Sequence, residues 1–451
     1  MIIKNGNIAL PGNDEFASLD IEIDQGKLVY IGENLKGPDI IDASGLQIFP
    51  GAIDPHVHFN EPGYTEREDF YHGTCAAASG GVTTVIDMPC TSIPPATSLN
   101  NLQTKLDVAS ERAIVDFGFF GGVSKQSIEK DLQKNMRELA DFVLGYKTYL
   151  ISGMETFGAL DPSQIKSVLT EAGKLNRPVL LHAEDPAIVN ELTAIEKQKG
   201  DQWINFYRSR PESAEISAIE KAITVTRETK GRLHIVHVGT GEAALMLKSE
   251  SNVSGETAPH YLEFSYEDLD KIGGALKTVP VVKAKGNAER LWECLMDGTL
   301  AFIASDHAPA PAKQKNTGSA WDDYSGIPGT GTLFPYLYSE GLVKRQMPLS
   351  RFLQVTTENA AKQYGLWDRK GSIEIGKDAD LIFVDPNDHR KVKGDNFLSK
   401  GKITPFENRV FHGKIKQTML RGNVIYNNET GINVKPGYGQ FIRPGKPGDR
   451  P

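Results

Sequence analysis

Hydrophobic and polar positions change their period twice along the chain. Over residues 1–50, short apolar runs alternate with turn residues: Met1–Lys4, Asn7–Leu10, Leu19–Ile23, Lys27–Ile31, Ile40–Asp42 and Leu46–Phe49, punctuated by Gly6, Gly12-Asn13-Asp14 and Gly26. That pattern predicts strands of a small β unit. From about residue 48, β-branched apolar runs alternate with longer stretches of helical period. The runs are Ile48–His58, Val82–Met88, Ala113–Phe120, Phe142–Leu150, Pro178–His182, Leu233–Val238, Ser254–His260 and Ala301–Asp306. Between them lie amphipathic stretches such as Phe70–Ser79, Ser98–Ser110, Pro162–Leu175, Glu212–Thr229 and Asn287–Met296. Such alternation predicts parallel βαβ units, and eight runs predict an α/β fold of the (β/α)8 barrel type over 51–375. A long doubly wound sheet has the same periodicity and stays open as the alternative.

After the helical stretch Leu349–Tyr364 the β pattern returns in Ala379–Val384, Val410–His412, Ile415–Arg421 and Val424–Tyr426. Residues 376–435 are therefore expected to join residues 1–50 in one β-sandwich built from both chain ends. The Gly-, Pro- and Arg-rich stretch 436–451 is expected to lie along the surface or fray.

Composition narrows the class of protein. With 451 residues, 39% apolar and 24% charged, the chain can bury one large core and a smaller one. A net charge of −8 argues against a nucleic-acid or membrane-surface binder. The three cysteines, Cys75, Cys90 and Cys294, form no Cys-x-x-Cys pair. They fit a reducing cytoplasm better than a disulfide framework or a thiolate cluster. The start has no basic segment followed by an apolar one, and no apolar run approaches the roughly 20 residues of a membrane span. The expectation is a soluble cytoplasmic protein.

Candidate chemistry lies at the ends of the proposed barrel strands, where active sites of such barrels are built. In Asp54-Pro55-His56-Val57-His58, residues two apart share a strand face, so His56 and His58 would project inward together with Asp54 behind them. The fourth strand carries Lys147, the fifth ends in His182, the sixth in His237 and the eighth in Asp306. Each has a purely structural alternative: a satisfied core histidine, a buried lysine ion pair, a turn-capping aspartate. His234 competes with His237 and, three residues earlier, should face the opposite side of its strand. Six such groups on one rim point instead to a site for two divalent cations. A desolvated Lys147 could take up carbon dioxide as a bridging carbamate. Paired cations bring the pKa of water near neutrality, and Asp306 could take a proton and return it to a leaving nitrogen. That chemistry suits hydrolysis of an unactivated amide.

Together Asp54–His58, Lys147, His182-Ala183-Glu184, His237 and Ser305-Asp306-His307-Ala308-Pro309 resemble the cyclic amidohydrolases, namely dihydroorotases, allantoinases and hydantoinases. The resemblance spans nearly the whole chain. It implies a barrel with a flanking β-sandwich and a homo-oligomer, dimer or tetramer. It also implies a binuclear site: His56 and His58 on one metal, His182 and His237 on the other, Lys147 as N6-carboxylysine bridge, Asp306 as ligand and general base. Zinc suits these ligands best, with cobalt, iron or manganese also compatible.

Substrate choice rests on a few positions. Dihydroorotases typically meet the substrate carboxylate with an Arg two residues past His-x-His, an Asn after Met-Pro and a His after Asp-His-Ala-Pro; here those positions are Asn60, Cys90 and Ala310. Hydantoinases usually place a Tyr five residues after the lysine, where this chain has Ser152. Allantoinases match better through His58-Phe59-Asn60-Glu61-Pro62-Gly63, Ser209-Arg210-Pro211 and Glu256-Thr257-Ala258-Pro259-His260-Tyr261. The expected reaction is opening of a cyclic ureide, allantoin to allantoate, with Asn60 an uncharged reader of the ring. Lys283, in Pro280-Val281-Val282-Lys283, could meet an anionic group and keeps dihydroorotate open as the alternative. A non-catalytic scaffold relative is a third possibility, disfavoured because all six ligands are present.

Overall fold

The computed structural model describes residues 1–445. Its strands, in chain order, are β1 (Ile2–Ile8), β2 (Ala17–Asp24), β3 (Lys27–Gly32), β4 (Ile40–Asp42), β5 (Gln47–Pro50), β6 (Ala52–Val57), β7 (Val82–Asp87), β8 (Asp116–Phe119), β9 (Gly121–Gly122), β10 (Tyr146–Tyr149), β11 (Pro178–His182), β12 (Arg232–Ile235), β13 (Val253–Thr257), β14 (Phe302–Ile303), β15 (Leu381–Lys391), β16 (Val410–Leu420), β17 (Asn423–Asn427) and β18 (Gly431–Ile432). Both chain ends meet in one nine-stranded sheet. Its order is β18-β17-β16-β15-β5-β1-β2-β3, with β4 also paired to β1. The join is antiparallel pairing of β5 with β15, Ile48 opposite Phe383 and Phe49 opposite Ile382.

The apolar run Ile48–His58 is two strands, not one. β5 belongs to the mixed sheet and β6 to a parallel one, with Gly51 between them. A side chain at Gly51 would put its Cβ 2.1 Å from Thr83 Oγ1, so only glycine allows the chain to pass here. Its N–H donates to Asp380 O at 2.8 Å, which stitches the two sheets together at the corner.

The remaining strands are parallel, in the orders β6-β7-β8 and β14-β13-β12-β11-β10-β9. Their edges meet at two seams. Phe120 N donates to Asp87 O at 3.0 Å and Leu144 N to Phe119 O at 2.9 Å; on the other side His58 N donates to His307 O at 2.8 Å. Helices follow the expected stretches, including Phe70–Ser79, Leu99–Arg112, Pro162–Lys174, Glu212–Arg227 and Asn287–Asp297. Every residue of β6, β7, β8, β10 and β11 is buried. Continuous burial is the mark of strands covered on both faces.

Two expectations about the chain's later half are sharpened. Leu349–Tyr364 is helical but broken, with a π-helical turn at Gln354–Glu358 between two short α-helices. The described part of the C-terminal stretch does not fray. Phe117 N donates to Gln440 O at 3.0 Å and Ile442 N to Phe117 O at 2.8 Å, so this segment docks along β8. Ile442 is buried, and Phe441 packs on Phe117 and Phe119 at 5.8 and 5.5 Å. Residues 446–451 lie outside the described residues.

Candidate metal centre

The structure brings His56, His58 and Asp306 together at one end of the parallel strands, their ligand atoms all within 4.8 Å of one another. Asp306 Oδ1 is 3.2 Å from Nε2 of His56 and 3.2 Å from Nε2 of His58. His182 Nδ1 lies 3.0 Å from His237 Nε2, and the His56 and His237 rings are 5.4 Å apart. Lys147 projects from β10 beside them with its Nζ 4.6 Å above the Tyr149 ring. That Nζ is buried and meets no hydrogen-bond acceptor. An ammonium so placed is costly unless something else takes it up.

Backbone conformation aims two of these groups. His237 and Asp306 lie just past the ends of β12 and β14 and both adopt left-handed φ angles, 42° and 49°. For residues other than glycine that conformation costs about 1–2 kcal/mol and persists where surrounding contacts over-determine it. At Asp306 those contacts include Asp54, whose Oδ1 accepts from Ser305 N at 3.0 Å, and the strand pairing of His307 with Val57.

Strand parity therefore fails at His237. β12 stops at Ile235, and the left-handed turn brings His237 inward although His234 is inward too. His234 Nε2 lies 3.1 Å from Glu256 Oε2, and the other oxygen of Glu256 is 2.5 Å from His56 Nδ1. The expectation that only one of the two histidines faces the interior is corrected: His237 belongs to the cluster and His234 supports it from one layer below.

The second nitrogens of His182 and His58 are also engaged, whereas His237 Nδ1 is buried without a partner. Glu184 Oε2 is 2.8 Å from His182 Nε2 and accepts from Arg210 Nη1 at 2.6 Å. His58 Nδ1 faces Cys90 Sγ at 3.7 Å, and that sulfur is 3.0 Å from Tyr149 OH. With their outer nitrogens engaged, His56 and His182 are left to present Nε2 and Nδ1 inward, the arrangement in which imidazoles ligate metals. A buried orphan amine, imidazole lone pairs and one carboxylate form a donor set that fits a pair of divalent cations.

Electrostatics follow the burial. Burial pushes the Lys147 amine down to about 8. Burial would raise the Asp306 carboxyl, yet His56, His58 and His237 hold it well below the usual carboxylate range. Glu256 behaves likewise: against the effect of burial, His56 and His234 bring it to about 2, so it stays ionised. His260, buried with neither ring nitrogen bonded, is pushed down to about 4 by burial.

Above the cluster opens a cavity of about 370 Å³ whose wall includes His58, His182, His237 and Asp306. The rest of the wall comes from Tyr149 at the end of β10 and from loops: Thr91, Ile151 to Met154, Arg210, Val279, Ala308 and Tyr324 to Gly326. None of the four positions expected to read the substrate lines it. Asn60 is buried and donates from Nδ2 to His58 O at 3.0 Å, supporting the strand end. Cys90 lies behind His58, and Ala310 is buried beyond the wall. Lys283 is buried and donates to Arg210 O at 3.0 Å, bracing a wall residue from behind. Sequence reasoning also passed over Glu184, Arg210 and Glu256 as working residues. The signal was available, since each is an ionisable residue in or beside a motif that carries a candidate ligand.

Residues 47–425 match the amidohydrolase family. The chain is 36% identical to an allantoinase of Rubrobacter xylanophilus, covering 98% of this chain and 97% of the relative. It is 34% identical to an allantoinase of Enterococcus faecalis, covering 96% and 97%. Among solved structures, an L-hydantoinase from Arthrobacter aurescens superposes with a TM-score of 0.92 at 29% identity, covering 98% of this chain and 99% of that one. A D-hydantoinase superposes at 0.90 with 30% identity, covering 99% of each. By matched length, full-chain identity and the residues gathered at its strand ends, this chain belongs to the amidohydrolase family.

Proposed function

We propose that the protein is a metal-dependent cyclic amidohydrolase that opens the hydantoin ring of allantoin to give allantoate. The observation that carries the reading is Asp306 Oδ1 at 3.2 Å from both His56 Nε2 and His58 Nε2, with Asp306 and His58 lining the cavity. In this reading the two parallel sheets form one (β/α)8 barrel over 51–375, supported by the hydrogen bonds across both seams. Residues 1–50 and 376–435 form the flanking β-sandwich. Such barrels carry their chemistry at the C-terminal strand ends.

His56 and His58 would hold one divalent ion, His182 and His237 a second, and Asp306 the first. Lys147, as its carbamate, would add a pair of charged oxygens to the same donor set, which would give its buried, unpartnered amine a role. When bound, such a pair polarises an amide carbonyl and supplies a water-derived nucleophile near neutral pH. The chain's own residues do the rest. Glu256 and Glu184 fix the ring orientation of His56 and His182. Asp306, kept ionised by its histidines, accepts a proton on its carboxylate and delivers it to the ring nitrogen that leaves. The wall residues from Ile151 to Met154 and Tyr324 to Gly326 narrow the mouth and orient the ring.

Support for allantoin comes from the allantoinase relatives and from the absence of any exposed Lys283 to meet a carboxylate. Zinc is the metal most compatible with three or more imidazoles. No helix among the described residues is long and apolar enough to cross a membrane. A cytoplasmic dimer or tetramer is part of the proposal on family resemblance. The test is hydrolysis of allantoin and dihydroorotate side by side, with zinc, cobalt or manganese and bicarbonate supplied. Turnover of allantoin alone supports the reading; turnover of dihydroorotate alone overturns it.

A further inference from the structure

Among the described residues, Arg210 is the single lysine or arginine in the cavity wall. It sits in Ser209-Arg210-Pro211, between the helices Trp203–Arg208 and Glu212–Arg227. The chain holds it at both ends. Its backbone carbonyl accepts from Lys283 Nζ at 3.0 Å, and its N–H donates to Tyr207 O at 3.0 Å. At the far end Nη1 donates to Glu184 Oε2 at 2.6 Å, the oxygen that also lies 2.8 Å from His182 Nε2.

A guanidinium carries five N–H donors in a rigid fork. Glu184 takes up one nitrogen, and the other side-chain donors of Arg210 meet no acceptor among the described residues. The side chain is 17% exposed, and what it is exposed to is the cavity. Two other polar groups in the wall are engaged elsewhere: Ser152 Oγ donates to Phe157 O at 2.7 Å and Tyr149 OH is 3.0 Å from Cys90 Sγ. Thr91 Oγ1 is buried there without a partner, but it offers one neutral hydroxyl rather than a charged fork. The strongest unspent hydrogen-bond donors in the wall therefore belong to Arg210, one residue removed from the ligand His182.

The charge state matters as much as the position. Arg210 is paired at 2.6 Å with the buried carboxylate of Glu184. The pair offers directed N–H groups with little net positive charge, which suits a neutral carbonyl oxygen better than a second carboxylate. Allantoin presents such a group. Its ureido arm hangs from the ring carbon next to the carbonyl that is hydrolysed, so seating that carbonyl beside Asp306 leaves the arm's oxygen a few bonds away, within reach of the wall.

Resting on the ring-opening reading above, we infer that Arg210 is a specificity-determining residue that donates to the carbonyl oxygen of the substrate's ureido arm. It selects cyclic ureides bearing a neutral acceptor arm over rings without one.

The experiment compares allantoin with hydantoin, the same ring without the arm, in wild type, Arg210→Gln and Arg210→Lys loaded with zinc. The ratio of kcat/KM for allantoin to that for hydantoin is expected to fall about 10- to 100-fold in Arg210→Gln, the size of a lost hydrogen bond to a charged donor. Arg210→Lys, which keeps charge but not the fork, should lie between, and serves alone if the Gln variant does not fold. Where hydantoin turns over too slowly, its inhibition constant against allantoin replaces its kcat/KM. Metal content, measured by mass spectrometry, should stay at the wild-type stoichiometry. Equal losses on both substrates, with or without metal loss, would overturn the assignment and leave Arg210 a support for Glu184 and His182. Wild type that opens hydantoin but not allantoin would instead overturn the reading beneath it.

Discussion

Glu256 Oε1 lies 2.5 Å from Nδ1 of His56, on the opposite side of the ring from Asp306. Its second oxygen engages His234 at 3.1 Å, so one buried carboxylate fixes both the tautomer of a candidate ligand and the layer beneath it. Replacing it with Gln keeps the shape and removes the charge. The expected outcome for Glu256→Gln is about 10- to 100-fold weaker metal binding with an unchanged circular dichroism spectrum. Metal titration by calorimetry measures it, and wild-type affinity would show that Glu256 does not support the site.

Lys147 is buried with no acceptor for its amine. Lys147→Ala is expected to lose activity and to bind closer to one metal per chain than two, because a bridging group is gone. A short carboxylate such as acetate or propionate, supplied in the buffer, should restore part of the second-metal occupancy by filling the space. Full metal content and full activity in the Ala variant would remove the carbamate from the proposal.

Asp306→Asn removes the proton acceptor while keeping most of the geometry. A fall of at least about 100-fold in kcat is expected, within the range attributed to a positioned acid–base group. A scaffold protein would behave differently, keeping its binding and assembly with no turnover to lose. Steady-state rates on allantoin with metal content measured in parallel decide between them.

Away from the site, Lys370 is buried against Asp116, Asp378 and Asp380 at 2.7, 2.9 and 2.6 Å, joining β8 to the mixed sheet. Lys370→Met leaves buried Asp380 without a cation and removes one of the cations held by Asp116 and Asp378, and should destabilise the protein by about 3–5 kcal/mol in urea unfolding. The same cluster makes stability depend on pH. Burial works against ionised Asp378, but Lys370, Lys27 and Arg369 bring its carboxyl down to about 2. A folded-state value below the unfolded one contributes stability that is complete above about pH 4 and lost as pH falls through about 2. The metal-free wild type should therefore lose stability more steeply than Lys370→Met between those pH values; parallel slopes would contradict the assignment.

Much of the fold and site could be read from letters alone. Alternating β-branched and helical periods marked the parallel strands, because burial on both faces demands continuous apolar runs. The candidate ligands stood at the ends of those runs, because metal sites need imidazole, carboxylate and amine, residues that an apolar strand otherwise excludes. What the letters could not carry was geometry set by distant contacts. Only the folded chain split Ile48–His58 at Gly51, since the reason is Thr83, remote in sequence. Only it turned His237 and Asp306 inward through left-handed backbone, which no periodicity encodes. It moved Asn60, Cys90, Ala310 and Lys283 behind the wall and put Arg210 in front of it, because a cavity's lining depends on how loops from different strands pack. Residue type and order determined which chemistry the chain can hold; tertiary packing decided which side chains face the substrate and which hold the others in place.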